Sequence, residues 1–213
     1  MDKVTILEDL DFYLHQIDNA RDFVALRGME SVIKNALGSE NALIREKAAI
    51  LFGATVQSNP DVQDRVLAQG WMKHLVDQVT NSGEVISVRT RLVAAISNLV
   101  RGSSGALKEF RREAGFKKYL AILEELAASN QHNKLRLKIL GFLADVAVVS
   151  EGGEDDLLAS KTVLHQMVSD TVKELPKDTL DDIEKVSEIL DSFVDYYDTV
   201  SYTHLTLPTI LLV

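Results

Sequence analysis

The chain has 213 residues, of which 46% are hydrophobic and 26% charged, with 11 glycines and 3 prolines. This composition is typical of a globular chain and excludes a fibrous or intrinsically disordered one. The sequence contains no cysteine, which excludes disulfides and cysteine-ligated metals. It also has no run of about eighteen apolar residues, so we expect no membrane partner. Residues 1–8 lack the apolar core of a signal peptide.

The net charge of −9 is distributed unevenly along the chain. Residues 1–150 carry 19 basic and 18 acidic side chains, whereas residues 151–199 carry 4 basic and 14 acidic ones. Nucleic-acid binding requires a basic surface that neutralises phosphates, and this chain is acidic overall. We therefore expect no nucleic acid as a partner.

The chain begins with a predicted helix that carries Leu7, Leu10 and Leu14 on one stripe. Asp18 and Asn19 interrupt the helical pattern, and either residue could cap the short helix that follows.

A longer helix is repeated three times, at residues 44–57, 88–101 and 135–148. The three copies align without gaps, and their apolar residues recur at intervals of three and four. Each copy has an aliphatic residue, then an arginine, then a second basic residue two positions later: Ile44, Arg45 and Lys47; Val88, Arg89 and Arg91; Leu135, Arg136 and Lys138.

A second element, centred on a glycine, is repeated between the long helices. Gly28, Gly70 and Gly115 each lie between two short amphipathic runs. This arrangement predicts a short helix that ends in a left-handed glycine cap before the next helix begins. Asn59-Pro60 and the Gly-Ser-Ser-Gly turn at residues 102–105 supply further breaks at corresponding points.

Three helices in a unit of slightly more than 40 residues are typical of armadillo repeats, which stack because no single unit buries its apolar face alone. We predict an all-α protein with no strand before Val200: a right-handed armadillo-repeat α-solenoid of about four repeats with a helical C-terminal cap. The predicted repeats are residues 5–37, 41–79, 84–126 and 133 onward.

The C-terminal part differs from the repeats. After a flexible acidic loop at residues 150–156, helices are predicted at 157–175 and 179–197. Residues 200–213 have no helical period and resemble the translation of a sequencing adapter; the alternative is a genuine β-prone tail. We predict an armadillo core at residues 1–150, an acidic helical cap at 151–199 and a non-native tail at 200–213. We expect the natural protein to continue beyond about Thr199.

The sequence predicts no catalytic or metal-binding site. The five histidines are scattered, and we expect none of them to have a second histidine or carboxylate at the i, i+4 spacing of a helical metal site. The sequence has no nucleophile elbow, P-loop or dinucleotide-binding fingerprint. We expect a binding protein without catalytic residues, cofactor or metal.

In armadillo solenoids the third helices line a concave face. Asn98 stands where the armadillo pattern commonly carries an asparagine, and helical spacing from it predicts the other groove residues. The predicted partner-binding residues are Glu8, Phe12, His15, Lys47, Gln57, Arg91, Asn98, Arg101, Lys138 and Asp145, with Ile50, Ala54, Ala94, Gly141 and Val148 between them. A single asparagine in three copies argues against the asparagine ladder of extended-peptide binders.

Two stretches carry a family resemblance: LEDLDFYLHQIDNARDFVALRGMESVI at residues 7–33 and SNPDVQDRVLAQG at residues 58–70. They resemble the armadillo nucleotide-exchange factors of DnaK-type heat-shock chaperones, which include the cytosolic Fes and HspBP types and a BiP-associated branch of the endoplasmic reticulum. The phrase LDFYLHQIDNA is most similar to the endoplasmic-reticulum branch.

The resemblance implies a function and a partner. In this family the concave face wraps one lobe of the chaperone's nucleotide-binding domain and displaces it, so that ADP leaves. It therefore implies a BiP- or DnaK-type chaperone as partner and the lumen of the endoplasmic reticulum as compartment, with the cytoplasm as the alternative. We expect the chain to be a monomer on its own. The alternative function is a general armadillo scaffold for another protein.

The first arginine of each long helix is predicted to point away from the groove. On this basis, truncation of Arg91 and Arg101 is expected to weaken partner binding. Truncation of Arg89 alone is expected to have little effect.

Overall fold

The computed structural model describes residues 2–127 and 132–149, which contain helices and no strand. The all-helical prediction is confirmed for these residues. The helices are α1 Lys3–Leu14, α2 Ile17–Ala25, a π-helix at Met29–Lys34 that continues into α3 Asn35–Leu37, α4 Ala42–Val56, α5 Pro60–Ala68, α6 Trp71–Val79, α7 Ile86–Val100, α8 Ser104–Arg112, α9 Gly115–Ala127 and α10 Asn133–Val149.

The chain divides into two compact units, residues 1–139 and 140–213. Helix α10 begins in the first unit and ends in the second, which is described only over residues 140–149. The predicted division at residue 150, the acidic cap and the tail lie outside the described residues. Over the described ranges, no helix is both long and apolar enough to cross a membrane.

The first unit is built from three-helix repeats that stack in register. Helix α4 packs against α1 on one side and α7 on the other, while α5 packs against α2 and α8. Helices α3 and α6 end at the unit boundaries predicted from the sequence period, at Leu37 and Val79. The usual armadillo order instead starts each repeat at the short helix and counts the long helix as the third. In that order the third helices α1, α4 and α7 form one row, and the short first helices α2, α5 and α8 form another.

Helix α4 is the centre of the apolar core. Leu51, Phe52 and Val56 have no exposed surface, and the intervening residues 53–55 are buried as well. A helix that is buried on nearly all sides must be covered by neighbours on both flanks. Trp71 of α6 packs against Phe52, with 5.3 Å between ring centroids, and joins the second-helix layer to this core.

Two of the predicted breaks lie at helix N-termini. Asn59 precedes Pro60, the first residue of α5, and its side-chain amide donates to the carbonyl of Ile17 in the preceding repeat, 3.2 Å away. Ser103 caps α8, because its hydroxyl oxygen accepts a hydrogen bond from the amide of Ala106 at 3.1 Å.

The prediction that Asp18 or Asn19 caps the second helix was wrong. Helix α2 begins at Ile17, so Asp18 and Asn19 both lie within its first turn. Asn19 instead turns back, and its side-chain amide donates to the carbonyl of Tyr13 at the end of α1, 3.0 Å away. Asn19 therefore stabilises the corner between α1 and α2 from inside α2.

The prediction of three left-handed glycine caps holds only at Gly70, whose φ is 78°. In the first and third repeats the left-handed residue precedes the glycine: Arg27 has φ 63° and Ala114 has φ 55°. A left-handed conformation is unfavourable for a residue with a Cβ, by about 1 kcal/mol.

Gly28 and Gly115 are needed for a different reason, because an aromatic ring occupies the place of a side chain. A Cβ on Gly28 would lie 2.4 Å from the ring of Phe23, and a Cβ on Gly115 would lie 2.4 Å from the ring of Phe110. The glycine in these two repeats therefore provides space for a phenylalanine five residues earlier.

This geometry gives opposite expectations for two adjacent substitutions. Gly115→Ala should destabilise the chain by about 2 kcal/mol, because Phe110 is fully buried and cannot move aside without strain. Ala114→Gly should stabilise it by about 1 kcal/mol, because glycine adopts the left-handed conformation without steric cost. Denaturant unfolding of the two variants measures both effects, and equal stability of Gly115→Ala and the unmodified chain would contradict the assignment.

Candidate functional site

The row of third helices α1, α4 and α7 encloses a concavity of about 150 Å³ in the first unit. Its lining residues are Asp11, His15, Ala49, Ile50, Gly53, Ala54, Gln57, Arg91, Ala94, Ala95 and Asn98.

Small residues bring α4 and α7 close together at the floor of this groove. A Cβ on Gly53 would lie 3.5 Å from the Cα of Ala95 and 3.3 Å from Nδ2 of Asn98. Asn98 donates through that nitrogen to the carbonyl of Gly53, at 3.3 Å. The asparagine that sequence singled out thus bridges two third helices.

Ion pairs connect each third helix to the next along the rim. Lys47 on α4 lies 2.6 Å from Glu8 on α1, and Arg91 on α7 lies 3.3 Å from Glu46 on α4. The Arg91 side chain is 41% exposed and that of Glu8 is 50% exposed. Because exposed pairs contribute less than about 1 kcal/mol each, these charges can exchange partners at small cost.

Four of the ten predicted partner-binding residues line the concavity: His15, Gln57, Arg91 and Asn98. The predicted intervening residues Ile50, Ala54 and Ala94 also line it.

Other predicted residues lie beside the concavity or apart from it. Glu8 and Lys47 form the rim pair, and Arg101 follows the end of α7 with an exposed side chain. Phe12 is 73% exposed on α1 and packs edge-on against Tyr13, which is 56% exposed. Lys138 and Asp145 are exposed on α10, with Asp145 in the second unit. A role in partner binding stays a prediction for all ten.

Sequence reasoning missed Asp11, Ala49, Gly53 and Ala95. The small residues could have been found from their positions, since each precedes a residue of the groove pattern or lies within one turn of it.

Asp11 lies one turn before His15, with Oδ1 at 3.7 Å from Nε2. The expectation that no histidine has a carboxylate at this spacing was therefore wrong. Even so, no three His, Cys, Asp or Glu side chains group as metal ligands within residues 2–127 and 132–149.

The first arginines of α4 and α7 are absent from the groove lining, as predicted, and bind glutamates of later segments. Arg89 is completely buried, donates to the carbonyl of Val79 at 2.9 Å, and holds both carboxylate oxygens of Glu125 at 3.0 and 3.1 Å. Arg45 binds Glu84 at 2.7 Å in the same way. Because Arg89 is a buried charge, we expect its removal to destabilise the fold, whereas its small effect on partner binding stays a prediction.

These contacts shift the pKa values of both glutamates downward. The hydrogen bond from Arg89 holds the pKa of Glu125 below its ordinary value, against a smaller opposing effect of burial. For Glu84, burial raises the pKa, but hydrogen bonds from Arg45, the Val85 amide and Gln78 together outweigh it, and the pKa lies below the ordinary value. Both carboxylates are therefore charged at neutral pH.

Removing the charge of Glu125 should leave the guanidinium of Arg89 buried without its counterion. We expect Glu125→Gln to destabilise the chain by about 2 kcal/mol, which is less than a fully buried pair would lose because Glu125 itself is 43% exposed. Glu124→Gln is the matched control, since Glu124 is the exposed neighbour on the same helix. Its free energy of unfolding should change by less than about 0.5 kcal/mol. Equal losses in the two variants would contradict the role of the pair.

The same pairs predict acid sensitivity. Because the folded-state pKa values of Glu84 and Glu125 are lowered, the stability they contribute is fully present above about pH 4.5 and is lost as the pH falls through the folded values. The melting temperature should therefore drop as the pH falls below about 4.5. In Glu125→Gln the drop should be shallower, because one of the two linked protonations is absent.

Comparison with known proteins gives one family match. The family model described as the SIL1/FES1/HPBP1 C-terminal domain matches residues 19–178. The nucleotide exchange factor SIL1 of Mus musculus is 28% identical over 155 residues, which are 73% of this chain and 32% of that protein. Hsp70-binding protein 1 of Rattus norvegicus is 29% identical over 163 residues, 76% of this chain and 44% of that protein. The Hsp70 nucleotide exchange factor FES1 of Gibberella zeae is 31% identical over 112 residues, 53% of this chain and 52% of that protein.

Among solved structures, an engineered protein from the Northeast Structural Genomics Consortium superimposes with a TM-score of 0.53, covering 92% of this chain and 93% of that one. At 12% sequence identity this likeness concerns the fold alone. The chain spans about a third of the mouse and rat SIL1 proteins that it matches. Because the family model covers residues 19–178, which are more than half of the chain, the chain belongs to the SIL1/FES1/HPBP1 C-terminal-domain family.

Proposed function

We propose that this chain binds the nucleotide-binding domain of a DnaK- or BiP-type heat-shock chaperone and promotes release of its ADP. The observation that carries the proposal is the family match over residues 19–178, since relatives in that family are named nucleotide exchange factors and Hsp70-binding proteins. The groove along α1, α4 and α7 supplies a surface on which such a partner can dock.

Exchange by this route requires only a difference in affinity between two states of the partner. A protein that binds the open nucleotide cleft more tightly than the closed one shifts the population toward the open state. About 1.4 kcal/mol of preference changes that equilibrium tenfold. The chain therefore needs no acid, base or nucleophile, and we propose that it is not an enzyme.

The groove suits this task because its supporting helix is rigid while its rim is adaptable. Residues 51–56 of α4 are buried without interruption, so the helix resists bending when a partner pushes against it. The rim pairs Glu8–Lys47 and Glu46–Arg91 remain partly exposed. A partner can replace one member of each pair without leaving a charge buried and unpaired.

The compartment proposed is the lumen of the endoplasmic reticulum. Its support is the phrase LDFYLHQIDNA at residues 10–20, which is most similar to that branch of the family, together with the matches to SIL1 proteins. The cytoplasm is the alternative, because FES1 and Hsp70-binding proteins also match.

The decisive experiment measures release of fluorescent ADP from a DnaK-type chaperone with and without the chain. We expect acceleration by the unmodified chain and about a tenfold weaker effect from Arg91→Ala, Arg101→Ala, since a central interface arginine typically contributes more than about 1 kcal/mol. Arg65→Ala is the matched control, because Arg65 is an exposed arginine on α5 outside the groove lining. Arg89 is unsuitable as a control variant because its side chain is completely buried.

Calorimetry on folded samples of the three proteins completes the test. Equal affinity of the double variant and the unmodified chain would show that the chaperone docks on another face. Absence of any accelerated release, together with binding to a different protein, would favour the general armadillo scaffold instead.

A further inference from the structure

Asp11 is the one acidic side chain that lines the described groove. Its Oδ1 is covered from solvent and accepts no hydrogen bond from any described residue, although the side chain as a whole is 32% exposed. His15 Nε2, at 3.7 Å, is too far away to donate a hydrogen bond. A carboxylate in this state has lost hydration without gaining a donor, which is unfavourable.

The other charges nearby already have partners. Lys47 pairs with Glu8, and Arg91 pairs with Glu46. Asp11 differs from Glu8 and Glu46 in that no lysine or arginine of the described residues forms an ion pair with it.

The floor beneath Asp11 leaves space for a side chain. Ala49, Gly53, Ala54, Ala94 and Ala95 line it, and none of them extends beyond a methyl group. The methylene groups of a lysine or arginine pack well on such an apolar surface while the charged end reaches a polar partner. A small rotation about χ2, which is a broad torsion in aspartate, would turn the covered oxygen toward such a donor.

We propose that the groove receives a lysine or arginine side chain of the bound protein, with the carboxylate of Asp11 as its acceptor. This inference rests on the proposed function for the identity of the bound protein, and it adds the chemistry of the contact. The inserted cation pairs with the carboxylate and supplies the donor that Oδ1 lacks. Asp11 is thus a specificity-determining residue for a basic side chain on the partner.

The first test compares Asp11→Asn with Asp64→Asn in the full chain, using the nucleotide-binding domain of a DnaK-type chaperone as the probe. Asn keeps the shape of Asp11 and removes its charge, and Asp64 is an exposed aspartate on α5. We expect Asp11→Asn to bind about tenfold more weakly, with a reduced dependence on salt, because a charge-assisted hydrogen bond is lost. Asp64→Asn should bind like the unmodified chain. The melting temperature of Asp11→Asn should be unchanged or higher.

If the unmodified chain binds the domain and Asp11→Asn binds it equally well, the inference is overturned. If the unmodified chain does not bind, the proposed function fails, and a second measurement decides the inference alone. Nuclear magnetic resonance titration of the labelled chain with acetyl-Gly-Arg-Gly-amide should then shift signals of residues 49–57 and 94–98. The same peptide with citrulline, which is neutral and of similar shape, should not. Identical responses to the two peptides, or an arginine response that persists in Asp11→Asn, would overturn the inference.

Discussion

The side-by-side packing of α1, α4 and α7 is the interaction on which the described unit depends. Helix α4 is buried along residues 51–56, and one neighbouring helix alone could not cover it. The helix is therefore stable only between two other third helices, which is the physical reason that armadillo units occur in arrays. The same packing places the groove residues of three helices next to one another, so the stability of the fold and the shape of the groove have a common origin.

Two arginines fix the spacing between successive repeats. Arg45 and Arg89 occupy equivalent positions, and each reaches a glutamate from a later segment, Glu84 and Glu125 respectively. Hydrophobic surfaces alone can slide against one another, whereas a bidentate ion pair has a defined direction. The Arg45 pair therefore fixes α4 against the segment that leads into α7, and the Arg89 pair fixes α7 against α9. Neither pair involves a residue of the groove lining. The groove charges remain available for other contacts.

Much of this architecture could be predicted because its signal is periodic. The repeated Arg45, Arg89 and Arg136 marked three equivalent helices, and the breaks at Asn59-Pro60 and residues 102–105 marked their ends. What could not be predicted depends on contacts between repeats. The periodicity predicts that Arg89 faces away from the groove. It does not predict that Arg89 is completely buried, because its counterion Glu125 lies 36 residues later at a position that the repeat pattern does not mark.

Asp11 escaped prediction for the same kind of reason. Its sequence position is that of an ordinary surface aspartate on an amphipathic helix, and only the approach of α4 covers one of its oxygens. The glycine caps show a different difficulty: the sequence marked the correct three positions, but the steric reason for two of them was an aromatic ring rather than a left-handed backbone.

The ring-and-glycine contact also affects how such repeats can change. Phe23 with Gly28, and Phe110 with Gly115, are each complementary pairs, while the middle repeat has Arg65 and a left-handed Gly70 at the corresponding places. A change of either member alone creates a collision or a void, so the two positions must be exchanged together. Consensus design chooses the residue at each repeat position independently of the other positions. It would therefore combine one member of the phenylalanine–glycine arrangement with one member of the arrangement in the middle repeat. A chimeric repeat should instead inherit the whole six-residue corner from one parent.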